Sequence, residues 1–451
     1  MRRRKRLPVV VALVLLAIHP AILAQGGSNE RWVGTWSTAE IGRPQTPPAP
    51  PPALPPFQPG QCPAAPPASP AFMHFNNQTL RQIVHTSIGG SIIRVVLSNV
   101  YGTAPLTIGA AHVALRTNDK VKDSSIQSVY GRALTFSGRP TVAIPANAVV
   151  YSDPVNLTIP PMADLAIDLY LPGNTDTSVP LTMHYGAFQT NYVSETGNHV
   201  GSAKLPTVAT IQNWFVIHRV DIQTSESVGG IVTFGDSITD GTRSTPDMNN
   251  RWPDQLVQRM QSQVPPLRMG VMNAAIAGNR VLSEGVFWAG PNGLSRFEHS
   301  ALSQSGVTHI VVMEGINDIG NARTNPTPTA EDLIAGYKQL IVQAHSKGIK
   351  IYGATLTPFY GAAYYTEVGE AKRQAINHWI RIGKAYDAVI DFDAVTRDPN
   401  EPKKLLAAYD SCDHLHLNDA GYKAMAEAID LGPFTAVAAS ARTPVSTQRI
   451  Q

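Results

Sequence analysis

The sequence predicts an α/β protein: a three-layer α/β/α domain built on a parallel sheet, preceded by an all-β sandwich of jelly-roll type. Two observations carry this. Between residues 79 and 224 short apolar runs recur with period two, punctuated by Gly89-Gly90, Pro160-Pro161 and Pro172-Gly173. Past Val228 apolar runs of strand length alternate with amphipathic stretches of helix length, the pattern of a doubly wound sheet with short crossovers. With 451 residues, 43% hydrophobic and 15% charged, the chain has ample material for such a core.

Taken in order, residues 1–24 read as a secretory signal peptide, because Arg2, Arg3, Arg4, Lys5 and Arg6 precede an apolar stretch from Leu7 to Ile18 that is too short to span a bilayer. An uncleaved N-terminal anchor is the alternative. Either way the expected location is secreted or periplasmic, with no stable membrane insertion after cleavage. Residues 25–42 form an N-terminal segment in which Trp32 and Trp36 flank Val33-Gly34-Thr35, a candidate edge strand for either domain. Residues 43–70 are dominated by proline and alanine and read as an extended linker or loop.

Residues 71–227 are the expected sandwich. Within it Leu165, Ile167, Leu169 and Leu171 alternate with Ala166, Asp168 and Tyr170, the pattern of a half-buried antiparallel strand. Residues 228–435 are the expected α/β domain, followed by a tail over residues 436–451. Its strands are read at residues 230–234, 307–313, 349–356 and 388–392, and its helices at residues 330–347, 370–386 and 419–429.

Charge and cysteine content narrow the functions. Removing residues 1–24 takes away five positive charges and no negative ones, so a formal charge of +3 becomes −2 and no basic balance points to nucleic acid. The two cysteines, Cys62 and Cys412, exclude a disulfide-dense scaffold. In an exported chain such a pair invites one bridge, which would pin the proline-rich segment beside residue 413; two unpaired thiols are the alternative. No metal-ligand spacing is visible among the thirteen histidines, and no cofactor is expected.

Four short motifs carry chemistry. Gly235-Asp236-Ser237-Ile238 follows the strand at residues 230–234 and leaves Ser237 at the carboxyl edge of the sheet, where open α/β sheets place their ligands. Asn273 to Asn279 ends in Ala277-Gly278-Asn279, Gly315-Ile316-Asn317-Asp318 follows the next strand, and Asp413-His414-Leu415-His416 lies near the C-terminus. In this order and context the region 228–431 resembles an SGNH hydrolase of the GDSL esterase superfamily, with Ile238 where the motif's name has leucine.

The residue types fit the chemistry this resemblance implies. A serine hydroxyl is a weak nucleophile at neutral pH, so His416 is expected to take its proton and Asp413 to orient the imidazole. His414 and Asp410 are the rival base and orienter. The resemblance implies an oxyanion hole made by the backbone N–H groups of Ser237 and Gly278 and by the Asn317 amide. Asp236, Asp240 and Asp318 are expected to cap turns, Asn279 and Arg280 to brace the glycine loop, and Trp252, Trp288 and Phe359 to wall the substrate pocket.

The implied activity is cofactor-free hydrolysis of carboxylic esters. Relatives with a sandwich ahead of the SGNH domain are similar to carbohydrate acetylesterases, so an acylated small molecule or polysaccharide, first an acetyl ester, is the expected substrate. A lipase, lysophospholipase or thioesterase of the same family is the alternative, and a non-catalytic glycan-binding protein a remoter one. Oligomeric state is not legible in the sequence.

Overall fold

The computed structural model describes residues 30–42, 74–117, 123–175, 180–225, 228–322 and 324–435. Cys62 and the segments 1–24, 43–70 and 436–451 of the sequence reading lie outside them.

The period-two region folds into antiparallel sheets. A six-stranded sheet runs in the order Thr207–Ile211, Asn191–Thr196, Asn76–His85, Asp164–Asn174, Ala110–Leu115, Arg132–Leu134. Facing it, a second sheet runs Glu30–Ser37, Ile217–Ser225, Gly90–Ser98, Val155–Ile159, with Val149–Tyr151 also paired to Gly90–Ser98. Leu80, Val84, Leu165, Ile167 and Leu169 of one sheet meet Val95, Leu97, Val220 and Ile222 of the other in a common core.

The strand Asp164–Asn174 corrects the sequence reading. It is not half-buried: Ala166 and Asp168, on the face predicted to meet solvent, are as buried as Ile167. Ala166 belongs to a second small core with Ile83, Ala114, Ile126, Tyr192 and Leu205, and Asp168 is neutralised by both Arg81 Nε and Nη2 at 2.7 Å. A polar residue in the alternation reads as solvent-facing, but a bidentate arginine makes it an interior one.

The segment around Trp32 and Trp36 joins the sandwich. Glu30–Ser37 pairs antiparallel with Ile217–Ser225, while the Gly34 amide donates to Ser305 O at 2.9 Å. One strand therefore closes the sandwich sheet and touches the α/β layer.

The second half is a parallel sheet with helices on its faces. We label its strands β1 (Gly229–Gly235), β2 (Met269–Asn273), β3 (Val307–Met313), β4 (Lys350–Ala354) and β5 (Ala388–Ile390), and its longer helices α1 (Trp252–Gln261), α2 (Ala330–Ser346), α3 (Glu367–Ile382) and α4 (Asp419–Glu427). The order β2-β1-β3-β4-β5 makes the chain reverse its winding beside β1, between β1 and β3, the switch point at which such sheets bind ligands. All seven residues of β1 are buried, as a central parallel strand requires.

Helix α3 begins three residues before the sequence-predicted start. Thr366 Oγ1 accepts from the Gly369 N–H at 2.9 Å and caps it there. Strand β5 is shorter than predicted because Asp391 accepts from the Ala394 N–H and opens a helical turn over Phe392–Thr396.

Candidate active site

Strand β1 ends at Gly235, and the next residue turns the chain. The Asp236 carboxylate accepts from the Ile238 N–H at 3.1 Å and caps the short helix Ser237–Asp240, so Ser237 is its first residue. The Ser237 hydroxyl is thereby presented at the carboxyl end of the interior strand β1.

The facing loop runs from Asp410 to Asn418. It is closed by the Ser411 N–H donating to His416 O at 3.1 Å and is anchored below by buried Leu415 and Leu417. Helix α4 fixes it to the serine turn, because the Tyr422 hydroxyl donates to Thr242 O at 2.6 Å. Within the loop Cys412 and His414 take left-handed backbone, φ 78° and 60°, the strained conformation that concentrates at functional sites. Cys412 is disulfide-bonded. Cys62, the other cysteine of the chain, lies outside the described residues.

These two loops bring the separated motifs together. His416 Nε2 lies 2.8 Å from Ser237 Oγ, and His416 Nδ1 lies 2.8 Å from Asp413 Oδ2. Asp413 Oδ1 accepts from the N–H groups of His416 and Leu415 at 2.8 and 3.1 Å, which fixes the carboxylate plane. Burial pushes the Asp413 carboxyl up, but the hydrogen bond and charge of His416, together with those two backbone N–H groups, outweigh it and hold the group well below the usual carboxylate range. The rivals His414 and Asp410 pair with each other at 2.5 Å, and the His414 side chain is half exposed.

The glycine loop and the asparagine turn converge on the same edge. Gly278 has φ +75°, where a side chain would be strained and its Cβ would press to 3.2 Å of Ala289. Gly315 has φ +133°, and a Cβ there would meet the Tyr337 hydroxyl at 2.3 Å. Asn317, 4% exposed, donates one amide N–H to Asn279 O at 3.0 Å and keeps the second N–H unspent. Its Oδ1 accepts from the Tyr364 hydroxyl at 3.4 Å.

The neighbouring acids brace the loops. Asp240 accepts from the Ala277 N–H at 3.1 Å and stands 3.1 Å from His184 Nε2 of the sandwich, while Asp318 accepts from the Val281 and Leu282 N–H groups at 2.9 and 3.0 Å. Asn279 donates to Ala289 O and Pro291 O, and Arg280 to Gly278 O at 3.2 Å.

Of the aromatic residues expected to wall the pocket, two do not reach it. Trp252 is fully buried, its indole N–H donating to Thr239 Oγ1 at 3.3 Å and its ring packed on Phe392. Phe359 is fully buried against Tyr364 and Tyr365. Trp252 opens helix α1 and Phe359 lies in the loop between β4 and α3, and the rings of both are packed into the core. Trp288 is different: it is 39% exposed, and its indole lies 3.8 Å from where a Gly278 Cβ would be.

Three charged residues escaped the sequence reading. Arg243 donates to Asp413 Oδ2 at 3.1 Å. Arg296, buried, donates to Asn279 Oδ1, Ala274 O and Gly235 O at 2.7, 2.6 and 3.0 Å, so one guanidinium ties the ends of β1 and β2 to the glycine loop. Glu314, at the end of β3, is buried 3.6 Å from Arg296 Nη2, and neither of its oxygens has a hydrogen-bond partner among the described residues. Burial pushes Glu314 up to about 8 and Asp236 up to about 7, against the opposing pull of Arg296 on both. The only available signal was a lone Glu closing an apolar strand, Val311-Val312-Met313-Glu314.

Among the described residues no helix is long and apolar enough to cross a membrane. The one group of three with metal-ligand geometry among the described residues, Glu40, His218 and His299, does not include residues of the serine site.

Residues 233–424 match the GDSL-like Lipase/Acylhydrolase family. Among solved structures the chain is similar to a carbohydrate acetylesterase family member from Sinorhizobium meliloti, at 17% identity over 47% of this chain and 99% of that one, with a TM-score of 0.37. It is also similar to a GDSL-like lipase from Bacteroides thetaiotaomicron, at 16% identity over 47% of this chain and 88% of that one, with a TM-score of 0.35. The aryl esterase of M. smegmatis matches at 16% identity over 48% of this chain and 98% of that one, with a TM-score of 0.35. No curated protein matches the chain.

Proposed function

We propose that this chain, a carboxylic ester hydrolase carrying a GDSL/SGNH hydrolase domain, is an exported serine esterase that removes short acyl groups, acetyl first, from a carbohydrate. One observation carries the reading: the unbroken line of hydrogen bonds from Ser237 Oγ through the His416 imidazole to the Asp413 carboxylate, each link 2.8 Å long.

In this reading Ser237 Oγ attacks the ester carbonyl while His416 Nε2 accepts its proton. Asp413, kept ionised, holds the proton on His416 Nδ1 and stabilises the imidazolium that forms. The carbonyl oxygen becomes an oxyanion facing the Ser237 and Gly278 N–H groups and the second amide N–H of Asn317. Collapse expels the alcohol, which takes its proton from His416 and leaves an acyl-serine. Water repeats the sequence and releases the acid.

The substrate class rests on the rim of the site. An exposed indole at Trp288, set against the oxyanion loop, offers a flat face for a sugar ring, and the Tyr364 hydroxyl and Asn317 amide surround the carbonyl with polar groups. Export rests on the basic and apolar pattern of residues 2–18.

The test is a series of p-nitrophenyl esters of increasing acyl length run beside acetylated polysaccharides, with Trp288→Ala as the second arm. Activity is expected to fall beyond the shortest acyl chains, and Trp288→Ala to raise KM on the polysaccharide far more than on the p-nitrophenyl ester. Preference for long chains, or equal KM changes on both substrates, contradicts the reading.

A further inference from the structure

We propose that Glu40, His218 and His299 form a divalent-metal site, best matched by zinc, that ties the sandwich to the hydrolase layer. Glu40 lies between the strands Glu30–Ser37 and Ile41–Gly42, and His218 is on the strand Ile217–Ser225. His299 comes from the other side of the seam, on the short helical turn Glu298–Leu302 that precedes β3. Glu40 and His218 are separated by nearly the whole sandwich in sequence, which is why no ligand spacing is legible there.

The donor atoms already converge. Glu40 Oε2 is 2.8 Å from His299 Nε2 and 3.3 Å from His218 Nδ1, and the three donor atoms all lie within 4.8 Å of one another. The two imidazoles stack at 4.9 Å with 27° between their planes, so both present an edge to the same carboxylate. An ion with metal–ligand distances near 2.1 Å and tetrahedral angles sets its donor atoms about 3.4 Å apart, a spacing the two contacts to Glu40 Oε2 approach within a few tenths of an ångström. Two imidazoles with one carboxylate are a set that zinc accepts, leaving a fourth position for water.

An independent observation points to a ligand. Glu40 is 2% exposed and His218 3%, yet Glu40 Oε1 and His218 Nδ1 have no hydrogen-bond partner among the described residues. A buried carboxylate oxygen without a donor is costly, and a cation held by both Glu40 oxygens and by His218 Nδ1 removes that cost. The His299 side chain is 35% exposed and gives the ion a path from solvent. On the far side of the His218 ring, Gln304 Nε2 stands 3.4 Å from Nε2. Ligation through Nδ1 puts a proton on that nitrogen, so Gln304, whose Oε1 accepts from Arg219 Nη1 at 3.2 Å and whose Nε2 donates to Ser300 O at 3.1 Å, must exchange those two bonds to meet it with its amide oxygen.

The site is tested on tag-free full-length protein, stripped with chelator and titrated with zinc, by calorimetry, bound-metal analysis and thermal unfolding. One equivalent of zinc is expected to bind and raise the melting temperature. His299→Ala, a change at a part-exposed side chain, is expected to weaken binding by more than about tenfold and to abolish the shift. His345→Ala removes an exposed histidine from another ion pair and is expected to leave both unchanged. Gln304→Glu, which supplies a fixed acceptor to His218, is expected to tighten binding. Less than stoichiometric binding to the parent protein, or binding unaltered by His299→Ala, overturns the proposal.

Discussion

Two buried acids, one in each half of the molecule, are treated in opposite ways. Asp168 of the sandwich is fully enclosed, but both its oxygens meet the Arg81 guanidinium, and the Gly201 N–H adds a further hydrogen bond. Glu314 of the hydrolase layer is equally enclosed, yet its only cation stands 3.6 Å away and both oxygens lack hydrogen-bond partners among the described residues. The first is a paired charge whose loss would leave Arg81 stranded. The second is a carboxyl that burial pushes up to about 8, adjacent to the turn that follows β3. The difference teaches what a partner does for a buried acid: Asp168 is balanced by its arginine, whereas Glu314, beside the elements that hold Ser237, Gly278 and Asn317, is not, and its pKa is displaced.

The strongest way to break this contrast is at the nucleophile. Ser237→Ala is expected to lower ester turnover by about a millionfold while leaving the melting temperature close to that of the parent, measured by steady-state kinetics and circular dichroism. Appreciable residual turnover removes Ser237 from its role. In the sandwich the order of effects reverses. Asp168→Ala strands the buried Arg81 and is expected to cost about 3–5 kcal/mol of stability in denaturant unfolding, with kcat per folded molecule retained. A loss of kcat without a loss of stability contradicts the division of labour.

Removing an oxyanion donor comes next. Asn317→Ala is expected to cost roughly 3 kcal/mol of transition-state stabilisation, read as a fall in kcat at nearly constant KM. A raised KM with unchanged kcat contradicts the assignment.

The smallest expected effect is on pH. Glu314, Asp236 and Asp318 are raised to about 8, 7 and 6, so the folded state holds protons that the unfolded chain releases near 4. Their stabilising contribution is full below the unfolded carboxylate range and is lost as pH rises through about 6 to 8. Glu314→Gln is expected to flatten that decline by on the order of 1 kcal/mol between pH 6 and 9 in urea unfolding. Asp413 behaves oppositely: its pKa is depressed, so its contribution is present at neutrality and lost only in strong acid. An unchanged pH slope in Glu314→Gln places the protons elsewhere.

The fold class and the meeting of Ser237 with Asp413 and His416 were legible because each motif is contiguous and those of Ser237 and Asn317 close strands with an unmistakable apolar run; the strand Met269–Asn273 ahead of the glycine loop was not read. What stayed hidden depended on tertiary contact. The Asp164–Asn174 strand looked half-buried because nothing local reveals that Arg81 neutralises Asp168. Trp252 and Phe359 lie close in sequence to the catalytic edge, but proximity along the chain does not decide which way a ring points. Arg296 reaches Gly235 O from a helix 61 residues later, and Arg243 meets Asp413 across 170 residues, distances over which no spacing rule operates.

The central claim is that the imidazole of His416 activates the hydroxyl of Ser237. Labelling with a serine-directed fluorophosphonate, followed by peptide mass spectrometry, tests it directly. The account predicts one adduct, on Ser237, formed readily by the parent protein and almost not at all by His416→Ala. An adduct on another residue, or labelling of Ser237 that proceeds unchanged without His416, would contradict it.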